Sequence, residues 1–175
     1  IPHISTGDIF RKAISEESDL GKQVKQILDE GGLVPDELTI ELVKDRLTRE
    51  DAQKGFILDG FPRTIPQADG LDGFADLTGV INFVVDEELV VRRLSGRRIA
   101  KKSGRIYHIE FNPPKEENIC DESGEELIIR PDDQVDAIRK RLSVYREQTE
   151  PLIGYYDKKG LLYSIDASKS PDEVV

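Results

Sequence analysis

Several common features are scarce or missing in this sequence, and each gap excludes something. A single cysteine, with no CxxC pair, leaves no disulfide framework. No apolar stretch approaches the roughly 18 residues at which a membrane span is read, so no membrane partner is expected. No secretory signal pattern opens the chain, and a cytoplasmic protein is the expectation. Positive charge is in deficit: 35 acidic against 25 basic residues leave a net charge of −10. That balance argues against general nucleic-acid binding, which relies on a positive field. It does not exclude a small anionic ligand, for which a local cluster of arginines suffices. No internal repeat is visible.

What is present, at 175 residues, fits one domain with room for an inserted subdomain. Apolar residues at 37% can build a core, and charged residues at 34% exceed the usual quarter, so many helices have a solvated face.

The stretch Phe56-Ile57-Leu58-Asp59-Gly60-Phe61-Pro62-Arg63-Thr64 organises the chain. Its apolar start predicts a buried strand. Gly60 admits backbone angles that other residues resist, and Pro62 stops the strand. Thr64 then caps a helix with Ile65, Ala68, Leu71 and Phe74 on one face. Asp59 and Arg63 are thereby set at the carboxyl end of a strand, where open α/β sheets bind ligands. An anion-binding arginine beside a carboxylate suggests phosphate chemistry; a structural Asp–Arg pair is the alternative.

Taken in order, the chain opens on a short strand running into a helix through Ile9, Phe10, Ala13 and Ile14, with Thr6 or Asp8 as cap and Arg11 one turn inside. His3 reads as a strand residue rather than a catalyst. A helix from Leu20 to Glu30 ends at Gly31-Gly32, and Asp36 is expected to cap the next, with Ile40, Val43 and Leu47 on its apolar side. A strand at Val80 to Val85 precedes a helix from Asp86 to about Leu94. This alternation predicts a parallel sheet with helices on its faces. The pattern breaks from Gly96 to Asp133, where β-like pieces at Arg105 to Phe111 and Leu127 to Arg130 suggest a small β insertion of the kind that often serves as a lid. Arg92, Arg93, Arg97 and Arg98 precede it; Arg130, Arg139, Arg141 and Arg146 follow. Such like charges repel unless something anionic sits among them, although a solvated basic helix face accounts for some of them. A long helix from Asp132 to about Asp157 should kink at Pro151 or give way there to a second helix. A last strand at Leu161 to Ile165 and a helix begun at Ser170 complete the reading.

Ser5-Thr6-Gly7-Asp8 with Arg11, Asp59-Gly60-Phe61-Pro62-Arg63-Thr64 with Gln67, Gly96-Arg97-Arg98, Phe111-Asn112-Pro113-Pro114, Arg130 with Asp132-Asp133, and Arg139-Lys140-Arg141-Leu142 together resemble adenylate kinases in order and spacing. The resemblance covers nearly the whole chain. It implies an α/β, P-loop nucleoside monophosphate kinase fold: a parallel sheet flanked by helices, with a small β lid. The lid is similar to that of the long-form bacterial enzymes rather than the short one of UMP/CMP kinases. The implied division is a core of 1–95 and 134–175, including an AMP-binding helical segment at about 6–48, and a lid of 96–133.

The family's roles then fall on matching positions. Thr6, Arg11, Val34, Gly60, Arg63 and Gln67, with Arg130 and Arg141, resemble the AMP site; Arg11 and Arg63 hold the α-phosphate and Gln67 reads the adenine edge. Arg93, Arg97, Tyr107 and His108 resemble the ATP side. Arg97, Arg130, Arg141 and Asp59 resemble the catalytic set, with Asp59 fixing the waters of Mg²⁺ and no protein group ligating the metal directly. Asp132 and Asp133 resemble residues that pair with arginines as the lid closes. The implied reaction is ATP + AMP ⇌ 2 ADP, promoted by positioning and by charge on Mg²⁺ and arginine. Lid closure, of which adenylate kinases are themselves a standing example, keeps water out. ATP, AMP and ADP are the expected partners of a monomer.

Two departures stand out. No GxxxxGK[ST] phosphate loop occurs, and Gly21-Lys22 is in the wrong context. The family's loop follows a strand that lies centrally, between those at Phe56 and Val80, and the family's carboxyl end runs past Val175. The sequence is therefore expected to be part of a longer chain. Secondly, the positions where many members carry four zinc-binding cysteines are Ala100, Ser103, Cys120 and Ser123, so no structural zinc is expected and a polar network should replace it. A GTP:AMP phosphotransferase and an inactive AMP-binding piece remain as alternatives.

Overall fold

The computed structural model describes residues 1–169. β1 (His3–Ser5) runs into α1 (Thr6–Ser15), which begins where the Ser5 hydroxyl accepts from the Asp8 N–H at 3.3 Å. Ser5 is the cap, not Thr6 or Asp8, because the Thr6 hydroxyl donates to Gly60 O at 3.0 Å and Asp8 pairs with Arg11. α2 (Asp19–Asp29) is followed by Gly31, whose φ of +76° suits glycine. α3 (Asp36–Leu47) has Pro35 at its cap position and no side-chain cap bond. Asp36 was expected there; its carboxylate points instead to α4. The apolar faces of these helices meet around Phe10, Val24 and Val34, and Val43 joins Phe61 and Leu71.

β2 (Ile57–Asp59) ends at the turn that leads to α4 (Ile65–Asp72), capped as expected by Thr64. β3 (Val80–Val84) leads to α5 (Glu87–Ser95), with the Asp86 carboxylate accepting from Glu88 N–H at 2.8 Å. Three strands follow: β4 (Arg97–Ala100), β5 (Ile106–His108) and β6 (Leu127–Ile128). The expected long helix is divided: a 3-10 turn at Pro131–Asp133, α6 (Val135–Val144), a π turn at Tyr145–Thr149 and α7 (Pro151–Lys158). β7 (Leu162–Asp166) closes the described chain. The helix expected from Ser170 lies outside the described residues.

The chain is α/β, with parallel strands and flanking helices. β1 pairs in parallel with β2, Ser5 opposite Asp59, and β3 in parallel with β7. Among the described residues these are two separate pairs rather than one sheet. Between β2 and β3 lies a cleft of about 1230 Å³, lined also by Ile138, Leu142 and Tyr156. Ile57, Ile81 and Phe83 line it and are consequently 56–58% exposed.

The insertion is an antiparallel sheet in the order β5-β4-β6. Its middle strand, β4, falls on Arg97-Arg98-Ile99-Ala100, where the sequence pattern predicts no strand. Ala100, Tyr107, Cys120 and Leu127 form its core. The polar network has Glu125 as its hub: the carboxylate accepts from the N–H groups of Lys102 at 2.8 Å and Ser103 at 3.1 Å, and from the Ser123 hydroxyl at 2.9 Å. Asp121 N–H donates to the Tyr107 hydroxyl at 2.9 Å, and that hydroxyl meets Cys120 Sγ at 3.5 Å. Among the described residues, no helix is long and apolar enough to cross a membrane.

Candidate functional site

Parallel pairing of β1 with β2 sets two strand–helix turns side by side. Gly60 O receives both, accepting from the Thr6 hydroxyl at 3.0 Å and from Arg63 Nε at 2.8 Å. Gly60 sits at φ +71°, and a Cβ there would come within 2.8 Å of Arg63 Nη2. Glycine is therefore required for the backbone angle and for the close approach of the guanidinium. The Arg63 carbonyl is anchored in turn by the Thr149 hydroxyl at 2.8 Å. Asp59, with its side chain 60% exposed, faces His3 Nε2 at 3.2 Å.

Within α1, Arg11 Nη2 donates to Asp8 of the first turn at 2.6 Å. Burial raises the Asp8 carboxyl, but the Arg11 bond and charge outweigh it and hold Asp8 below its ordinary value. Arg141, from α6, reaches the Asp132 carbonyl at 3.1 Å and its carboxylate at 3.3 Å. Arg97, from β4, makes a two-point pair with Asp133, at 2.8 Å and 2.5 Å. Arg130 makes no side-chain hydrogen bond or ion pair among the described residues.

These arginines sense one another. Burial lowers Arg63 most, with the Arg141 and Arg11 charges adding to it against Asp59. Burial lowers Arg130, then Arg11 and Arg97 do. Burial lowers Arg141 against the pull of Asp132 and Asp133, with Arg97 and Arg11 lowering it further. Five guanidiniums thus converge from α1, the β2–α4 turn, β4, the turn before α6, and α6. Each guanidinium carries five N–H donors in a planar fork, which suits phosphate oxygens. The arrangement can bind a polyanion and spread its charge.

The outer arginines of the expected cluster have partners within the chain. Arg92 pairs with Glu110, Arg146 with Glu87 at 2.9 Å, and Arg98 donates to the carbonyls of Ser95 and Arg97. Arg93 donates to the carbonyls of Ala167, Ser168 and Lys169 at 2.7–3.2 Å, which fixes the turn after β7. His108 accepts from the Glu110 and Phe111 N–H groups and stacks on Phe111. Tyr107, expected to cover a nucleoside, is only 3% exposed; its ring belongs to the lid core and its hydroxyl is engaged there.

A narrow pocket beside the arginines is lined by Thr6, Phe10, Val34, Thr39, Gly60 and Gln67 among others. Gln67 is 2% exposed. Asp36, Thr149 and Glu125 are the residues that sequence reasoning missed. Only Asp36 carried a signal, as an acid at a helix start, and that signal pointed to capping.

Comparison with known proteins shows the family. The family model described as adenylate kinase matches residues 1–161. An adenylate kinase of Treponema denticola is 57% identical over 175 residues, covering 100% of this chain and 84% of the relative. Adenylate kinases of Caldanaerobacter subterraneus subsp. tengcongensis and Staphylococcus epidermidis are each 52% identical over 179 residues, covering 99% of this chain and 81% and 83% of the relatives.

Proposed function

This chain belongs to the adenylate kinase family, enzymes of phosphoryl transfer between adenine nucleotides, and from that premise we propose how its own residues divide the work of ATP + AMP ⇌ 2 ADP. The observation that carries the assignment is the convergence of Arg11, Arg63, Arg97, Arg130 and Arg141 beside a narrow pocket.

AMP is the acceptor, with its α-phosphate on Arg11 and Arg63 and its base in the pocket of Thr6, Val34, Gly60 and Gln67. Arg130 and Arg141 bridge from the acceptor phosphate to the transferring group, and Arg97 meets that group from the lid. Charge spread over the equatorial oxygens in the transition state is met by planar donors already in place, so little reorganisation is needed. Arg93 and His108 serve the donor side; Tyr107 supports the lid from within. Asp132 and Asp133, in the lid (96–133), meet Arg141 of the core (1–95 and 134–175) at 3.3 and 3.6 Å, while Asp133 also pairs with Arg97 inside the lid, and the helices at about 6–48 form the AMP-binding segment. No GxxxxGK[ST] loop occurs in residues 1–175, so these contacts account for the acceptor and the transfer arginines rather than for a backbone cradle of the donor.

An exposed carboxylate at a strand end suits Mg²⁺ held through water rather than directly, and Asp59 would hold those waters. Magnesium supplies charge neutralisation on the donor phosphates. The protein acts as a cytoplasmic monomer on ATP, AMP and ADP.

Calorimetric titration of AMP into the full-length protein tests the acceptor assignment. Binding that weakens sharply in Arg11→Ala and Arg63→Lys is expected. Equal affinity in all three proteins would remove these residues from the site.

A further inference from the structure

Gln67 is held by partners that each play one role. Its Oε1 accepts from the Arg63 backbone N–H at 2.7 Å, and its Nε2 donates to Asp36 Oδ1 at 2.8 Å. The same Oδ1 accepts from the Thr64 hydroxyl at 2.9 Å, and Thr64 accepts from the Gln67 N–H at 3.2 Å. A glutamine amide is ordinarily ambiguous as to which end is oxygen. Here it is not: a backbone N–H only donates and a carboxylate only accepts. Turning the amide over would set N–H against N–H and oxygen against carboxylate, inside a site where Gln67 is 2% exposed. One of the two partners is backbone and cannot be altered by substitution. The other is Asp36.

Each amide atom retains one unspent function, a second N–H on Nε2 and a second lone pair on Oε1. Gln67 therefore offers the pocket a donor and an acceptor side by side, in one fixed sense. Adenine presents a complementary amino donor and ring-nitrogen acceptor, the pairing for which a glutamine amide is suited. Guanine has a carbonyl oxygen where adenine has its amino group. Facing the same amide, it sets oxygen toward oxygen.

We propose that Asp36 is a positioning residue that determines the acceptor base, by holding the Gln67 amide in the sense that accepts adenine and opposes guanine. This rests on the reading of the pocket as the AMP site. Asp36 touches no nucleotide; it acts through Gln67. Its place at the start of α3 keeps a carboxylate within reach of α4, and the absence of any cap bond from Pro35 or Asp36 to the α3 backbone leaves that carboxylate free for the task.

The experiment compares AMP and GMP as acceptors with ATP as donor in the full-length protein, reading the ratio of kcat/KM values. In Asp36→Asn the new side chain can accept or donate, so the Arg63 N–H alone still opposes a turn of the amide. The AMP-over-GMP ratio is expected to fall by roughly tenfold or more, the scale set by one bidentate base contact, and Asp36→Glu is expected to restore most of it. Asp36→Ala is read the same way, so a poorly folded Asn variant does not decide the matter alone. A residue that merely ties α3 to α4 would lower the melting temperature and weaken both acceptors together. An unchanged ratio in both Asn and Ala variants overturns the proposal while leaving the AMP site standing. A wild-type protein with no preference for AMP over GMP overturns the AMP-site reading and this proposal with it.

Discussion

Arg97 and Asp133 meet as a two-point ion pair, Nε to Oδ2 at 2.8 Å and Nη2 to Oδ1 at 2.5 Å, with the Asp133 side chain fully shielded and that of Arg97 20% exposed. The pair joins the first strand of the lid to the turn that re-enters the core. Removing one partner of a buried pair costs about 3–5 kcal/mol, because the other charge is stranded. Asp133→Asn is therefore expected to lower stability by about 3 kcal/mol, the low end, since Arg97 keeps some contact with water. It should also raise KM for ATP more than KM for AMP if Arg97 meets the transferring group of the donor, as proposed. Denaturant melts and the two KM values check this; equal changes in both KM values would mean the pair is a brace only.

Arg63→Lys separates charge from geometry. Lysine keeps the charge but loses the planar fork that bonds Gly60 O and still presents donors to an anion. A charge-assisted hydrogen bond contributes about 1.5–3 kcal/mol, so kcat/KM for AMP is expected to fall by roughly one to two orders of magnitude. Use of ATP and the melting temperature should change far less. Unaltered AMP efficiency would place the acceptor phosphate elsewhere.

Much of this arrangement was legible before the structure, and the reasons are local. Thr64 announces itself as a cap because it follows Pro62 and precedes a helical period. Asp59 and Arg63 are placed by the strand stop between them. β4 was not legible: Arg97-Arg98-Ile99-Ala100 has too few alternations to signal a strand, and it forms because Ile99 and Ala100 are buried between two partners. Asp36 was misread as a cap because its real partners, Thr64 and Gln67, are 28 and 31 residues away. Glu125 was invisible for the same reason. A hub that collects backbone N–H groups from Lys102 and Ser103 leaves no periodic trace.

The lid should hold together without zinc, and through Glu125. Hydrogen bonds, first that from the Lys102 N–H and then those from Ser123 and Ser103, outweigh burial and hold Glu125 below its ordinary value of 4.5. A depressed carboxylate contributes stability that is present above 4.5 and is lost as pH falls through its folded-state value. The lid amides of Lys102 and Ser103 are thus expected to be protected from exchange at about pH 7 and unprotected at about pH 3, after correction for intrinsic rates. Glu125→Gln should abolish the difference, and chelators should leave the melting temperature unchanged. Stoichiometric zinc by elemental analysis would contradict this description of the lid.

Tyr156 offers a stabilising substitution. Among the described residues its hydroxyl is buried without a hydrogen-bond partner, and burial pushes its pKa up to about 12. An unsatisfied buried hydroxyl costs about 1–3 kcal/mol. Tyr156→Phe keeps the ring against Ala68 and Leu152, so stability should rise by about 1 kcal/mol and the melting temperature by a few degrees. A clear loss of stability would mean that the hydroxyl has a partner in solution.

The most direct measurement is ADP formation by the full-length protein from ATP and AMP in the presence of Mg²⁺, followed with AMP varied and then omitted. Two ADP are expected for each AMP consumed, saturating in AMP, with negligible ATP loss when AMP is absent. ATP consumption that does not depend on AMP, or no turnover with AMP present, would contradict the assignment of the arginine cluster to an AMP-accepting phosphoryl-transfer site.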